Sequence, residues 1–352
     1  MSNQTSTATG SVAISKKTPI DMLAAFTRRS EFGALIGAIS VYVFFVIFAG
    51  EKFVSSFGTA SWLNVFAELA IVALPVSLIM IAGDLDLSVG SVIAGSSMTT
   101  AIVSGYFELP AIVGILAGIL FGLIVGFING YVITKTGLPS FIVTLASLFA
   151  VAGLTLGLTR VLTGTANVAM RADETTKALF GDFIDGKFSV VIFWTALVAI
   201  IIGWVQFATK YGNWIYAIGG DIISARAQGI PVARVKIGLF MASGVGAAMV
   251  GAFQTITYNG AGVSKGQSFV FNSIIAVVIG GVLLTGGYGS VFGVLLGAFT
   301  FSVVNQGIYY TGWEADWASL IIGALVLAAV FTNNTFRRLA LSAGAKKAKK
   351  NV

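Results

Sequence analysis

The 352-residue chain has no cysteine and no histidine, only five prolines, and 10% charged residues. Without cysteine it forms neither disulfides nor thiolate ligands. Without histidine it lacks the commonest metal ligand and the usual proton-exchanging side chain near neutral pH. These two absences weigh against a metalloenzyme or a nucleophilic hydrolase, though not against carboxylate chemistry. The shortage of charge excludes more. An ordinary soluble domain carries about 25% charged residues, because the shell of a globule must face water. With 57% hydrophobic residues, this chain cannot cover such a shell, and it reads as an all-α bundle of transmembrane helices.

What is present is a series of long apolar runs. A hydrocarbon core about 30 Å thick needs about 20 helical residues rising 1.5 Å each. Ten runs approach or meet that length: 32–50, 62–82, 89–106, 111–134, 140–162, 188–208, 235–255, 269–284, 289–310 and 317–331. The net charge of +7 follows topology rather than a nucleic-acid partner. With the N-terminus inside, only Lys52, Arg160, Arg171, Lys177, Lys187 and Lys265 of the 21 cations fall outside. That bias is the positive-inside pattern, and it places both termini in the cytoplasm. The expected organisation is a tail at 1–31, a transmembrane domain at 32–333 with a large inside loop at 209–234, and a basic tail at 334–352. Residues 1–20 are rich in Ser and Thr and lack the apolar core of a signal peptide, so they read as a disordered tail. The Lys-rich stretch 343–352 reads as a solvated end that can touch anionic lipid.

Inside the runs, unusual residues are few enough to be informative. The fourth carries Gly114, Gly118, Gly122, Gly126 and Gly130. Each Gly costs a helix interior about 1 kcal/mol against Ala, and spacing by four aligns them as a close-packing stripe. Glu68 is an acid within the second run, so it must face water, find a partner or be protonated. A path-lining role and a structural hydrogen bond both remain open for it. Asn129, Asn272, Asn305 and Gln306 are further candidates for a polar path, and each also suits helix–helix bonding. The stretch Gly83-Asp84-Leu85-Asp86-Leu87-Ser88-Val89-Gly90-Ser91 breaks the apolar pattern. It reads either as a surface helix–turn–helix or as a broken helix near a substrate path, with Asp86 or Ser88 capping the following helix.

In the 209–234 loop, the spacing predicts a short helix from Asp221 to Gln228, stopped by Gly229 with Pro231 beyond. The segment suits docking or lying flat on the membrane. Gly181-Asp182-Phe183-Ile184-Asp185-Gly186-Lys187 imitates the start of a phosphate-binding loop. Phe188 follows where Ser or Thr is required, so no nucleotide site is expected in this chain.

Three stretches together resemble the permeases of the ribose, xylose and galactose class of bacterial ABC importers. They are Gly83–Ser91, Ile215–Gly220 with Arg226 and Gly229-Ile230, and Ala276–Gly281 with Gly286–Ser290 and Gly293. Order and spacing agree across about 61–330. Two positions depart from the pattern: Asp221 stands where Asn is usual, and Glu68 where a neutral polar residue is common. The resemblance implies a permease of the bacterial inner membrane, working as a homodimer and not itself an enzyme. It implies a cytoplasmic ATPase subunit that binds ATP and Mg, and a periplasmic sugar-binding protein. It also implies that Gly219, Gly220, Asp221, Ala225, Arg226 and Gly229 couple to that ATPase. The alternative is an ion-coupled secondary transporter of a small polar solute, with Glu68 as its carboxylate.

Overall fold

The computed structural model describes residues 30–314, 316–328 and 331; the two expected tails lie essentially outside them. In chain order the elements are α1 (Ser30–Val54), α2 (Ser56–Ile81), α3 (Val89–Ala101), α4 (Ala111–Thr136), α5 (Ser140–Thr163), β1 (Asn167–Ala169), α6 (Glu174–Phe180), β2 (Phe183–Ile184), β3 (Phe188–Ser189), α7 (Val191–Ala208), α8 (Lys210–Gly220), α9 (Ile222–Ala227), α10 (Val232–Thr257), β4 (Gly260–Gly262), α11 (Phe269–Ile279), α12 (Val291–Thr311) and α13 (Trp317–Ala328). Of these, α1, α2, α4, α5, α7, α10 and α12 are long and apolar enough to cross a membrane.

The other three expected runs hold shorter helices. α3 gives way to a π-helical turn at Ile102–Tyr106. α11 has 11 residues, about 16 Å of helix, and stops before the expected 284. α13 is likewise short. α7 begins at Val191 because Phe188–Ser189 pairs with Phe183–Ile184 as a hairpin. The phosphate-loop look-alike is the turn of that hairpin. Asp185 and Gly186, in the three-residue loop between paired Ile184 and Phe188, have φ of 56° and 65°, left-handed values that suit Asp and Gly.

The centre of the bundle is α3 with the second half of α2, α10 and much of α12, whose side chains are buried on nearly every side. α1, α5 and α7 form the rim and expose large apolar residues such as Phe149, Ile200 and Trp204. Lipid is as apolar as Leu, so burial alone does not hold such helices together; close packing does. The glycine stripe of α4 supplies it. A Cβ on Gly114 would strike Ser104 in the π-helical turn after α3, and one on Gly118 would strike Thr100 of α3. On Gly122, Gly126 or Gly130 it would strike α10 at Gly244, Phe240 or Ile237.

α8 and α9 lie on one face of the bundle. On the opposite face, β1 pairs antiparallel with β4, and Asn64 of α2 holds the β2–β3 hairpin. It donates to the Lys187 carbonyl at 2.8 Å and accepts from the Ser189 N–H at 2.9 Å.

Candidate functional site

Between α2 and α3 the backbone is irregular and mostly buried. Unpaired N–H and C=O groups there would each cost several kcal/mol, and neighbouring elements pair them. Gly83, with φ 85°, donates to the Met80 carbonyl, and Asp84 N–H donates to Ile79. Leu85 N–H donates to Ser140 Oγ at 3.0 Å, and its carbonyl accepts from the Thr144 hydroxyl at 3.3 Å. The first turn of α5 is thus a template for this connection.

Asp86 sits at its centre, 1% exposed. Oδ1 accepts from the Ser88 N–H at 2.9 Å and the Ser88 hydroxyl at 2.6 Å, and Oδ2 accepts from Ser243 of α10 at 2.8 Å. Asn129 of α4 donates to Ser88 Oγ at 2.9 Å. The Ser88 hydroxyl makes no capping bond to α3, because Asp86 and Asn129 use it. Toward the α8–α9 face, Asp84 pairs with Lys236 at 2.7 Å.

A second irregular connection joins α11 to α12. Gly281, Gly286, Gly287 and Gly289 all have positive φ, from 75° to 147°, open to Gly and strained for other residues. Gln206 of α7 and Tyr216 of α8 secure its exit. Val291 N–H donates to Gln206 Oε1 at 2.8 Å, and Tyr216 OH donates to the Gly289 carbonyl at 2.6 Å. Burial raises the Tyr216 pKa to about 12, so the phenol stays neutral and keeps donating.

The two connections meet at one atom. The Ile81 carbonyl, ending α2, accepts from Gly287 N–H at 2.8 Å. A Cβ at Gly219 of α8 would land on that same oxygen, and a Cβ at Gly286 would lie 2.9 Å from Gly83 Cα and from the Gly219 carbonyl. Three backbones are in direct contact because none carries a side chain there.

α9 follows at once. Asp221 caps it, accepting from Ile223 N–H at 2.9 Å and Ser224 Oγ at 2.7 Å, and these donors hold its carboxyl below the usual range. Gly229 ends the segment with φ 78°. Ile223 projects at 74% exposure, whereas Ala225, one of the coupling residues that the resemblance implies, is 1% exposed. Its methyl faces the bundle, so Ala225 is a packing residue. Arg226 lines a cavity of about 710 Å³ together with Asp84, Ser140, Arg234 and Lys236.

Of the five polar-path candidates, Asn129 belongs to the Asp86 network, 1% exposed. Glu68 lies near the middle of α2, which begins earlier than the sequence pattern indicates, and Gln254 of α10 donates to its Oε2 at 2.7 Å. Nearby, the Lys265 ammonium donates to the Gly260 carbonyl at 3.1 Å and sits 5.0 Å from the Tyr258 ring centroid. Gln306 donates to Asn305 at 2.9 Å, and Asn272 is half-buried in the first turn of α11. α11 and α12 both pack on α2.

Sequence reasoning passed over Gln254, Ser243, Lys236, Gln206 and Tyr216. Gln206 left a signal, a lone amide in an otherwise apolar run. Ser243 left none, since a serine among small residues looks like packing until Asp86 is placed against it.

A family model described as branched-chain amino acid transport system / permease component matches residues 58–330. The chain is 33% identical over 304 residues to the probable ABC transporter permease protein YphD of Escherichia coli, covering 86% of this chain and 89% of that protein. It is 32% identical over 305 residues to the ribose import permease protein RbsC of Bacillus subtilis, covering 85% and 91%. With the fructose import permease protein FrcC of Rhizobium meliloti it shares 29% identity over 333 residues, covering 92% and 91%.

Proposed function

The chain belongs to that permease family, and from this premise we propose that it imports a monosaccharide or related polyol. It is a multi-pass membrane permease, with no ATP hydrolysis of its own in this reading. A separate cytoplasmic ATPase binds ATP and Mg, a periplasmic binding protein delivers the sugar, and a second permease chain completes the pore in the bacterial inner membrane. Relatives named as ribose and fructose import permeases and as a xylose transport system permease support the sugar class. The positive-inside pattern supports placing the α8–α9 face and both termini in the cytoplasm. For the second chain, support comes from α5: no atom lies within 4 Å of where a Cβ on Gly153 or Gly157 would stand, which leaves a small-residue face for another helix.

The observation that carries the reading is the junction at the Ile81 carbonyl. A partner pushing on Ile223 moves α9, α9 continues from α8, and Gly219 of α8 touches both irregular connections without an intervening side chain. Segment 209–234 is in this reading the coupling element. Hydrolysis elsewhere then reaches the centre of the bundle through backbone contact.

The test is reconstitution of the chain with its ATPase and binding protein, reading sugar uptake and hydrolysis together. Uptake should require ATP and all components, and Ile223→Asp should lower uptake per ATP. Uptake by the chain alone under an ion gradient would instead establish the secondary-transporter alternative, with Glu68 as the coupling acid. Glu68→Gln should alter uptake while the complex still assembles; unchanged uptake makes Glu68 structural.

A further inference from the structure

We infer that the segment from Val263 to Ser268, with Asn272, lines the water-filled path of the solute and contacts its hydroxyl groups. This rests on the membrane-permease reading above. The segment leaves β4 and turns inward. A Cβ at Gly266 would meet the Gly90 carbonyl at 2.6 Å and Ile93 Cβ at 2.7 Å, and a Cβ at Gly90 would meet the Gly266 carbonyl at 2.8 Å. Its depth follows from two anchors on α4. Ser88 is bonded by Asn129, and Gly118 packs on Ser96, so the first turn of α3 is level with the middle of α4. Gly251, six residues before the end of α10, also packs on Ile93; that is about 9 Å inside the helix end. The segment therefore descends from the surface into the bundle and starts α11 within it. α11 then runs toward the α8–α9 face, with Ala276 against Gly297 and Gly280 against Gly293.

At that depth, irregular backbone in contact with lipid does not occur; it is enclosed by protein or lines water. Yet Ser264, Gln267 and Ser268 are exposed on this chain. A hydroxyl, an amide and a second hydroxyl facing hydrocarbon would each cost several kcal/mol. Water, or the solute in its place, satisfies them. Asn272 lies one helical turn beyond Ser268. Lys265, on the same segment, donates to the Gly260 carbonyl at 3.1 Å and so holds the start of the descent to β4. Neutral donors and acceptors along this segment suit a polyhydroxylated solute, which presents hydroxyls and no charge.

The absence of native cysteine gives a clean test. Gln267→Cys, Ser268→Cys and, as the rim control, Phe149→Cys are made singly in the full chain, assembled with its partner subunits in membrane vesicles. A charged, membrane-impermeant methanethiosulfonate reagent is the probe. Gln267→Cys and Ser268→Cys should be labelled, and Phe149→Cys, 70% exposed on the rim, should stay unlabelled. Ser268→Cys changes one atom, so it guards against misfolding of the larger substitution. Labelling of neither segment position in assembled protein overturns the inference. So does spontaneous disulfide formation between copies without labelling, which makes the segment a dry contact. Labelling needs no ATP, so its outcome is separable from failure of ATP-driven uptake.

Discussion

The two irregular connections solve one problem by different means. That after α2 runs through Asp84, Asp86 and Ser88 and is held by side chains from α4, α5 and α10. That after α11 runs through Gly281, Gly286, Gly287 and Gly289 and is held by backbone contact with α2 and α8, with Gln206 and Tyr216 at its exit. The first is fixed by specific polar partners, each aimed at one group. The second is fixed by the lack of side chains, which lets a neighbouring backbone approach. A polar network resists motion because any shift breaks short, directional bonds. Glycine contacts hold position through shape. The difference suggests a fixed wall at the first connection and a transmission point at the second.

The largest effect is expected from Asp86→Ala. It strips the acceptor from the Ser88 N–H, the Ser88 hydroxyl and Ser243 in a buried site, where each orphaned group costs about 1–3 kcal/mol. Loss of about 3 kcal/mol or more is expected, read as lost yield and a lowered melting temperature of the purified chain. Asp86→Asn keeps an acceptor and should recover part of it. Equal stability of Asp86→Ala and the parent would show that the network holds nothing.

A smaller effect is expected at the glycine junction. Gly219→Ala places a methyl on the Ile81 carbonyl, and relief of such overpacking costs about 1–3 kcal/mol. No polar replacement rescues it, because the obstacle is volume. If Gly219 is the transmission point, uptake per ATP should fall more than stability does. A proportional fall of both would reduce the junction to packing.

Tyr216→Phe should have the smallest effect at neutral pH, about 1 kcal/mol for one hydrogen bond, read by thermal unfolding. Its pH dependence sharpens the point. The neutral phenol is favoured in the folded state, with a pKa of about 12 against about 10 when unfolded. The stabilisation is therefore fully present below pH 10 and is lost as pH rises toward 12. Tyr216→Phe should abolish that alkaline component. An unchanged alkaline profile would place the phenol outside the network.

Much of the fold was legible in the chain. Apolar runs of membrane length located the helices, because the bilayer sets both length and composition. The α4 glycines predicted a packing face, because a costly residue repeated at helical spacing needs a compensating contact. Asp221, Gly229 and Pro231 delimited α9, because caps and stops are local. Function was legible through motifs at Gly83–Ser91 and Ile215–Gly220, and the matched relatives bear out that resemblance. The individual site residues were harder to place. Asn129 and Asn272 look alike in sequence, yet one is sealed beside Ser88 and the other stands at the start of α11 within the bundle. The resemblance set Ala225 among the coupling residues, but the helix phase turns it inward.

That the chain lives in a membrane, and where its helices run and stop, could be read from the residues in order. Those properties depend on hydropathy, length and short-range capping, which neighbouring residues fix among themselves. Tertiary packing set the rest: α3 and α11 begin inside the bundle, Asp86 is satisfied by Ser243, and Gly219 and Gly287 meet at the Ile81 carbonyl. Each of those contacts joins elements far apart in the chain, and in an apolar solvent the pairing of polar groups and the closeness of backbones depend on which helices become neighbours.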